Sequence, residues 1–219
     1  MTMKNLKVIF PKTLIVFSVL FLFSACKKDK DNSVADNFDP TKYYFTGEAA
    51  DGMSTSYAWT FKPNAVAYLT AFGGSQDATL TYTYKGGVLE VGGNKFTILD
   101  NAITATDNPR YKSYHLQKIP DADAFAGKIF KGTVATNGVN NGKSCLIKFT
   151  ATGKFTVSID GFGQTGSGAD YTLINNGIAT ANTGSEGRRH LMSIGGGQLY
   201  YSQNNAASKT HYFSILTLQ

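Results

Sequence analysis

The sequence predicts an all-β protein built as an antiparallel meander from two tandem pseudo-repeats, behind a cleaved N-terminal export segment. Three observations carry this expectation. Short runs of Val, Ile, Thr, Tyr and Phe alternate with Gly/Asn/Asp pairs from Tyr43 to the C-terminus. No stretch beyond the leader holds apolar residues at i, i+3, i+4 and i+7 over a dozen residues, so amphipathic helices are not expected. Segments in the first half also reappear, in order, in the second.

Residues 1–25 are an export signal by layout. Lys4, Lys7 and Lys12 make a positive start, Leu14 to Phe23 an uncharged apolar run, and Phe23-Ser24-Ala25 leads into Cys26. The apolar run is about half the ~20 residues that a membrane-crossing helix needs, so a permanent span is not expected. Residues 26–42 are polar and rich in Asp, Asn and Lys, the composition of a solvated tether.

From Tyr43 onward each strand has its own justification. Tyr57-Ala-Trp59-Thr-Phe61, Leu80-Thr-Tyr82-Thr-Tyr84 and Phe155-Thr-Val157-Ser-Ile159 alternate with period two, as strands with one covered face do. Pro63-Asn64, Gly86-Gly87, Gly92-Gly93-Asn94, Asn175-Asn176-Gly177 and Gly195-Gly196-Gly197 supply residues that tolerate positive φ in tight hairpins. Short connections of this kind favour antiparallel neighbours.

The repeat matches Phe45-Thr-Gly47 with Phe130-Lys-Gly132 and Trp59-Thr-Phe61 with Ile147-Lys-Phe149. Tyr82-Thr-Tyr84 matches Tyr171-Thr-Leu173, and Lys112-Ser-Tyr114-His-Leu116 matches Thr210-His-Tyr212-Phe-Ser214. The offset grows from 85 to 98, with the differences falling in loops. The expected division is residues 43–120 for the first β repeat and 121–219 for the second, with Ile119-Pro120-Asp121-Ala122-Asp123-Ala124 as connector. A single sheet would leave an apolar face wet, so the copies are expected to pack face to face as a sandwich or to close into a barrel. About 175 residues suffice for one ordinary core or two small ones.

Composition narrows the function. The formal charge is +6, but three of the 21 basic residues lie in residues 1–25, which hold no acid; the remainder carries 18 bases against 15 acids. No cluster of Lys and Arg interleaved with aromatics follows, so nucleic acid is not an expected partner. Arg188-Arg189-His190 reads as an exposed turn.

Signs of chemistry are sparse. Gly161-Phe-Gly163-Gln-Thr-Gly166 spells a dinucleotide fingerprint, but the next residues read as a strand where the fingerprint needs a helix. His115, His190 and His211 show no ligand spacing, and His115 and His211 are expected at an edge or in solvent. Asp121 and Asp123 lack the Gly and Glu of a calcium loop. Nothing singles out a catalytic pair among Glu48, Glu90, Asp100, Asp160 and Asp170. No cofactor, metal or catalytic residue is therefore expected. Cys145, in Ser-Cys-Leu-Ile-Lys-Phe, reads as a small buried hydrophobe.

Two resemblances extend this reading. Ser24-Ala25-Cys26 followed by Lys27-Lys28-Asp29 resembles the lipobox and first mature residues of lipoproteins from the Bacteroidota. That likeness implies lipid attachment at Cys26 and an outer-membrane location, the membrane partner being reached through several acyl chains. The alternative is a soluble secreted protein with an unmodified Cys26. The succession Tyr57-Ala-Trp-Thr-Phe61-Lys-Pro-Asn, Thr81-Tyr82-Thr-Tyr84-Lys-Gly-Gly-Val88-Leu89 and Phe96-Thr-Ile98 is similar to the lipocalin-like β domains of such lipoproteins. Asn64-Ala65 departs from their usual polar-Gly turn, and the Gly-x-Trp motif of true lipocalins is absent. The resemblance implies a non-enzymatic binding or accessory module for a small hydrophobic molecule, and brings no catalytic residues with it. The twelve tyrosines and the single Trp keep a glycan ligand open, as accessory to a glycan-uptake system; a small envelope hydrolase is the third alternative.

Overall fold

The computed structural model describes residues 38–71, 77–161, 163–184 and 187–219. Among these residues there is no α-helix; one 3-10 turn, Pro40–Lys42, precedes the first strand. Asp39 Oδ1 caps that turn by accepting the Thr41 backbone N–H at 3.0 Å and the Thr41 hydroxyl at 2.6 Å.

The first sheet holds β1 (Tyr43–Glu48), β2 (Ser56–Lys62), β3 (Val66–Ala71), β4 (Ala78–Lys85), β5 (Val88–Val91), β6 (Asn94–Leu99), β7 (Ala102–Thr106) and β8 (His115–Lys118). Their order is β7-β6-β5-β4-β3-β2-β1-β8. The second holds β9 (Ile129–Thr136), β10 (Val139–Phe149), β11 (Lys154–Ile159), β12 (Gly163–Asp170), β13 (Thr172–Asn175), β14 (Ile178–Thr183), β15 (Arg188–Gly195), β16 (Gln198–Asn205) and β17 (Thr210–Leu218). Their order is β12-β11-β10-β9-β17-β16-β15-β14-β13. In each sheet the last strand returns to pair with the first, so each copy curls into its own nearly closed antiparallel barrel. The copies do not share one barrel.

The register matches the two copies residue by residue. Phe45 faces Trp59 and Gly47 faces Tyr57 across β1 and β2; Phe130 faces Ile147 and Gly132 faces Cys145 across β9 and β10. Leu89 faces Phe96 in the first copy and Ala179 faces Met192 in the second, which equates Asn94 with His190. The last strands align four residues away from the sequence reading, because Leu116 faces Phe45 whereas Leu218 faces Phe130. The long strand β4 pairs with β3 through its first half and β5 through its second, and β12 and β13 divide the same task around Tyr171.

A phenylalanine plugs the same end of each barrel. Phe38 stacks on Tyr43 and Tyr84 at 4.8 and 4.9 Å, and Phe125 packs on Phe149 at 5.1 Å. Phe38 and Pro40 are buried, so the first barrel begins inside the segment expected to be tether and reaches back at least to Phe38.

Side by side, the barrels join through the outer faces of β1, β2 and β8 on one and β14, β15 and β16 on the other. Tyr44, Ala58, Ile178 and Leu191 form a small apolar patch there. The Tyr44 hydroxyl donates to the Ile194 carbonyl at 2.7 Å, Thr46 and Ser193 share a hydrogen bond, and Ser56 meets Ser202. As a result β2, expected to cover one face, is buried on both from Ser56 to Phe61.

Candidate functional site

The space inside the two barrels differs. At the end opposite Phe38 the first barrel holds an open cavity of about 590 Å³, within the usual range of small-molecule sites. Its floor is aromatic. Trp59 and Tyr57 project inward from β2, and Tyr111, from the β7–β8 connection, packs against Tyr57 with its ring tilted by 53° and centroids 4.7 Å apart. Trp59 Nε1 donates to the Tyr111 hydroxyl at 3.2 Å, and Tyr57 donates its hydroxyl to the Ser113 carbonyl at 2.9 Å. Leu69, Ala71 and Leu80 make an aliphatic wall.

The opposite rim is polar, formed by Asp51, Thr55, Asn94, Asn108 and Arg110. Asp51 organises its own loop, its carboxylate accepting the Met53 backbone N–H at 3.0 Å and the Thr55 hydroxyl. Asn108 is hydrogen-bonded to Asn94, and its Oδ1 accepts the Arg110 backbone N–H at 2.8 Å. The Arg110 carbonyl accepts the Ala50 N–H at 2.7 Å, so the backbone beneath this side chain is held on both sides. Burial raises the pKa of Tyr111, partly offset by the Trp59 hydrogen bond and the Arg110 charge, which keeps its hydroxyl protonated.

In the second barrel, among the described residues, buried side chains occupy the corresponding end. His190, fully buried, occupies the position equivalent to Asn94. Tyr201 donates to Gln203 Oε1 at 2.8 Å, so its oxygen accepts from His190 Nδ1 at 3.0 Å, and His190 Nε2 accepts the Thr183 hydroxyl at 2.7 Å. Burial, helped by the nearby Arg188 charge, pushes the His190 pKa down to about 3. The strand in the last-but-one place differs: β16 sends in Leu199 and Tyr201, whereas β7 reads Ala-Ile-Thr-Ala-Thr and contributes Ile103 to the core of its barrel.

The residues singled out from sequence are dispersed. Cys26 lies outside the described residues. Cys145 is free and fully buried, and burial pushes its thiol up to about 11, too high for a nucleophile. Of the Gly161–Gly166 segment, Phe162 lies outside the described residues; Gly161 follows β11 and Gly163 to Gly166 begin strand β12, where the fingerprint needs a helix. Arg188-Arg189-His190 opens β15 and is not a turn, because His190 packs inward. His211 is 3% exposed rather than solvent-facing, and half-buried His115 reaches Tyr200 at 2.7 Å across the barrel interface.

Glu48 pairs with Lys112 and Asp170 with Lys154, each at 2.7 Å, while Asp123 accepts the Phe125 N–H and the Tyr171 hydroxyl. A smaller cavity of about 290 Å³ runs between the barrels beside Glu48 and Lys112. Among the described residues no three His, Cys, Asp or Glu side chains gather as a metal site. Trp59 is 1% exposed and Tyr57 3%, so neither offers a surface platform for sugar stacking.

Sequence reasoning missed Asn94, Asn108, Arg110 and Tyr111. One signal was present: eight residues join β7 to β8, against four between β16 and β17, and the longer connection carries Asp107-Asn-Pro-Arg-Tyr111. No family model matches this chain, and neither does any curated protein or solved structure.

Proposed function

We propose that this chain is a lipid-anchored, non-enzymatic protein of the outer membrane whose first barrel binds a small amphipathic molecule. The observation that carries the reading is the open cavity of about 590 Å³ in the first barrel, where the matching end of the second buries His190 and Tyr201. Leaving such a volume open forgoes dispersion contacts that a packed core makes, a cost that ligand binding offsets. The aromatic floor and aliphatic wall facing a polar rim suit a ligand with one apolar and one polar side. The leader and Ser24-Ala25-Cys26 support the anchoring half of the reading.

Native mass spectrometry of protein purified from membranes in mild detergent tests the binding half. A co-purifying small molecule, lost in a Leu80→Trp variant that narrows the cavity, is the expected result; a bare protein mass that takes up no amphiphile would refute it. Metabolic labelling with a radioactive fatty acid tests the anchor, and label persisting in Cys26→Ser would refute that half.

A further inference from the structure

We infer that the cavity of the first barrel selects an amphipathic anion, held at its head by the Arg110 guanidinium and the Tyr111 hydroxyl, with its apolar body against Leu69, Leu80 and the aromatic floor. The inference rests on the binding reading above and specifies the charge of the ligand. Arg110 lines the mouth of the cavity, yet among the described residues its guanidinium has no hydrogen bond and no ion pair. The other charged groups nearby are committed. Asp51, the one carboxylate on the lining among the described residues, accepts the Met53 N–H and the Thr55 hydroxyl, and Lys112 is paired with Glu48 at 2.7 Å.

The hydroxyl of Tyr111 accepts the Trp59 N–H, which leaves its own O–H available to donate into the cavity. Two donors, one charged, thus border the same space beside an apolar wall. A carboxylate, sulfonate or phosphate satisfies both at once, whereas a neutral ligand leaves the cation without an acceptor. Backbone hydrogen bonds on both sides of Arg110 hold its main chain at the rim before any ligand arrives, so the ordering cost of binding is confined to its side chain.

Two fluorescent probes with one body separate charge from shape: 8-anilinonaphthalene-1-sulfonate carries the anion, and N-phenyl-1-naphthylamine lacks it. Each is titrated into the full mature chain, its Arg110→Gln and Tyr111→Phe variants, and Leu80→Trp as a cavity block, with circular dichroism checking the fold. The expected result is saturable binding of both dyes that Leu80→Trp abolishes. The sulfonate should bind about 10- to 100-fold more tightly, as one or two charge-assisted hydrogen bonds give. Arg110→Gln should remove that advantage and leave the neutral dye unchanged, and Tyr111→Phe should reduce it in part. Equal binding of the two dyes, insensitive to Arg110→Gln, would overturn the anion inference and leave the cavity reading standing. Failure of both dyes to bind, or binding indifferent to Leu80→Trp, would overturn the cavity reading and the inference with it.

Discussion

Ser202 Oγ receives the backbone N–H of Ser56 at 2.7 Å and lies 2.6 Å from the Ser56 hydroxyl, tying the outer face of β2 to the outer face of β16 across the barrel interface. Both serines are buried. Ser202→Ala strands a buried N–H and a hydroxyl together, for an expected loss of about 1–3 kcal/mol in urea unfolding. Ser56→Ala removes only the hydroxyl pair and should cost less; equal losses would contradict this asymmetry.

Gly177 occupies a position that no side chain can share. A Cβ there would stand 2.2 Å from the Tyr44 hydroxyl oxygen and 2.5 Å from the ring carbon that bears it. Gly177→Ala must displace Tyr44 and break its bond to the Ile194 carbonyl, costing about 1–3 kcal/mol by overpacking. A thermal midpoint within a degree of the parent would show that Tyr44 moves freely.

Acid should destabilise the protein, because burial lowers the pKa of all three histidines, that of His190 to about 3. The unfolded chain takes up protons near pH 6.5, whereas folded His190 stays neutral until about pH 3. Stability is therefore full above pH 6.5 and falls as pH drops towards 3, by roughly 1.4 kcal/mol per unit from His190 alone. Urea titrations at pH 7.5 and 5 measure the slope. Unchanged stability at pH 5 would mean that His190 accepts a proton in the folded state.

The turn between β2 and β3 contains Asn64 at φ 65° and Ala65 at φ 60°, both left-handed. An alanine pays about 1–2 kcal/mol for that conformation, and glycine returns part of the gain through the entropy of the unfolded chain. Ala65→Gly should stabilise by about 0.5–1 kcal/mol, raising the thermal midpoint by a few degrees. Gly153, at φ 78°, already supplies glycine in the matching turn of the second copy.

Cys145 should be silent to thiol reagents in the folded state, its thiol buried and held near pKa 11. In a Cys26→Ser background a maleimide should label it only as fast as the protein opens. Rapid labelling without denaturant would place the thiol at the surface.

How much of this was legible beforehand can be judged strand by strand. In β11, Phe155, Val157 and Ile159 point inward and the residues between them are half-buried, as period two requires. In β2 the same alternation gave the inward residues Tyr57, Trp59 and Phe61, but its other face, Ser56-Ala58-Thr60, reads equally well as wet or covered. Small polar residues fit water, and they also fit a close approach between two sheets. Only Ser202 and its neighbours, more than 140 positions away, decide between these. The rim of the cavity was hidden for a related reason: Asp51, Asn94 and Arg110 line one mouth because two hairpins, β1–β2 and β5–β6, and the β7–β8 connection end there, a convergence that no local spacing records.

From the chain alone came the class of fold, the hairpin punctuation and the duplication, since propensity, turn chemistry and pleat period act over a few residues at a time. Three-dimensional packing settled the rest: two barrels standing side by side, with Tyr201 and His190 buried at one end of the second and an open cavity at the matching end of the first. Volume within a closed sheet is a sum over all its strands, and no one of them carries that sum.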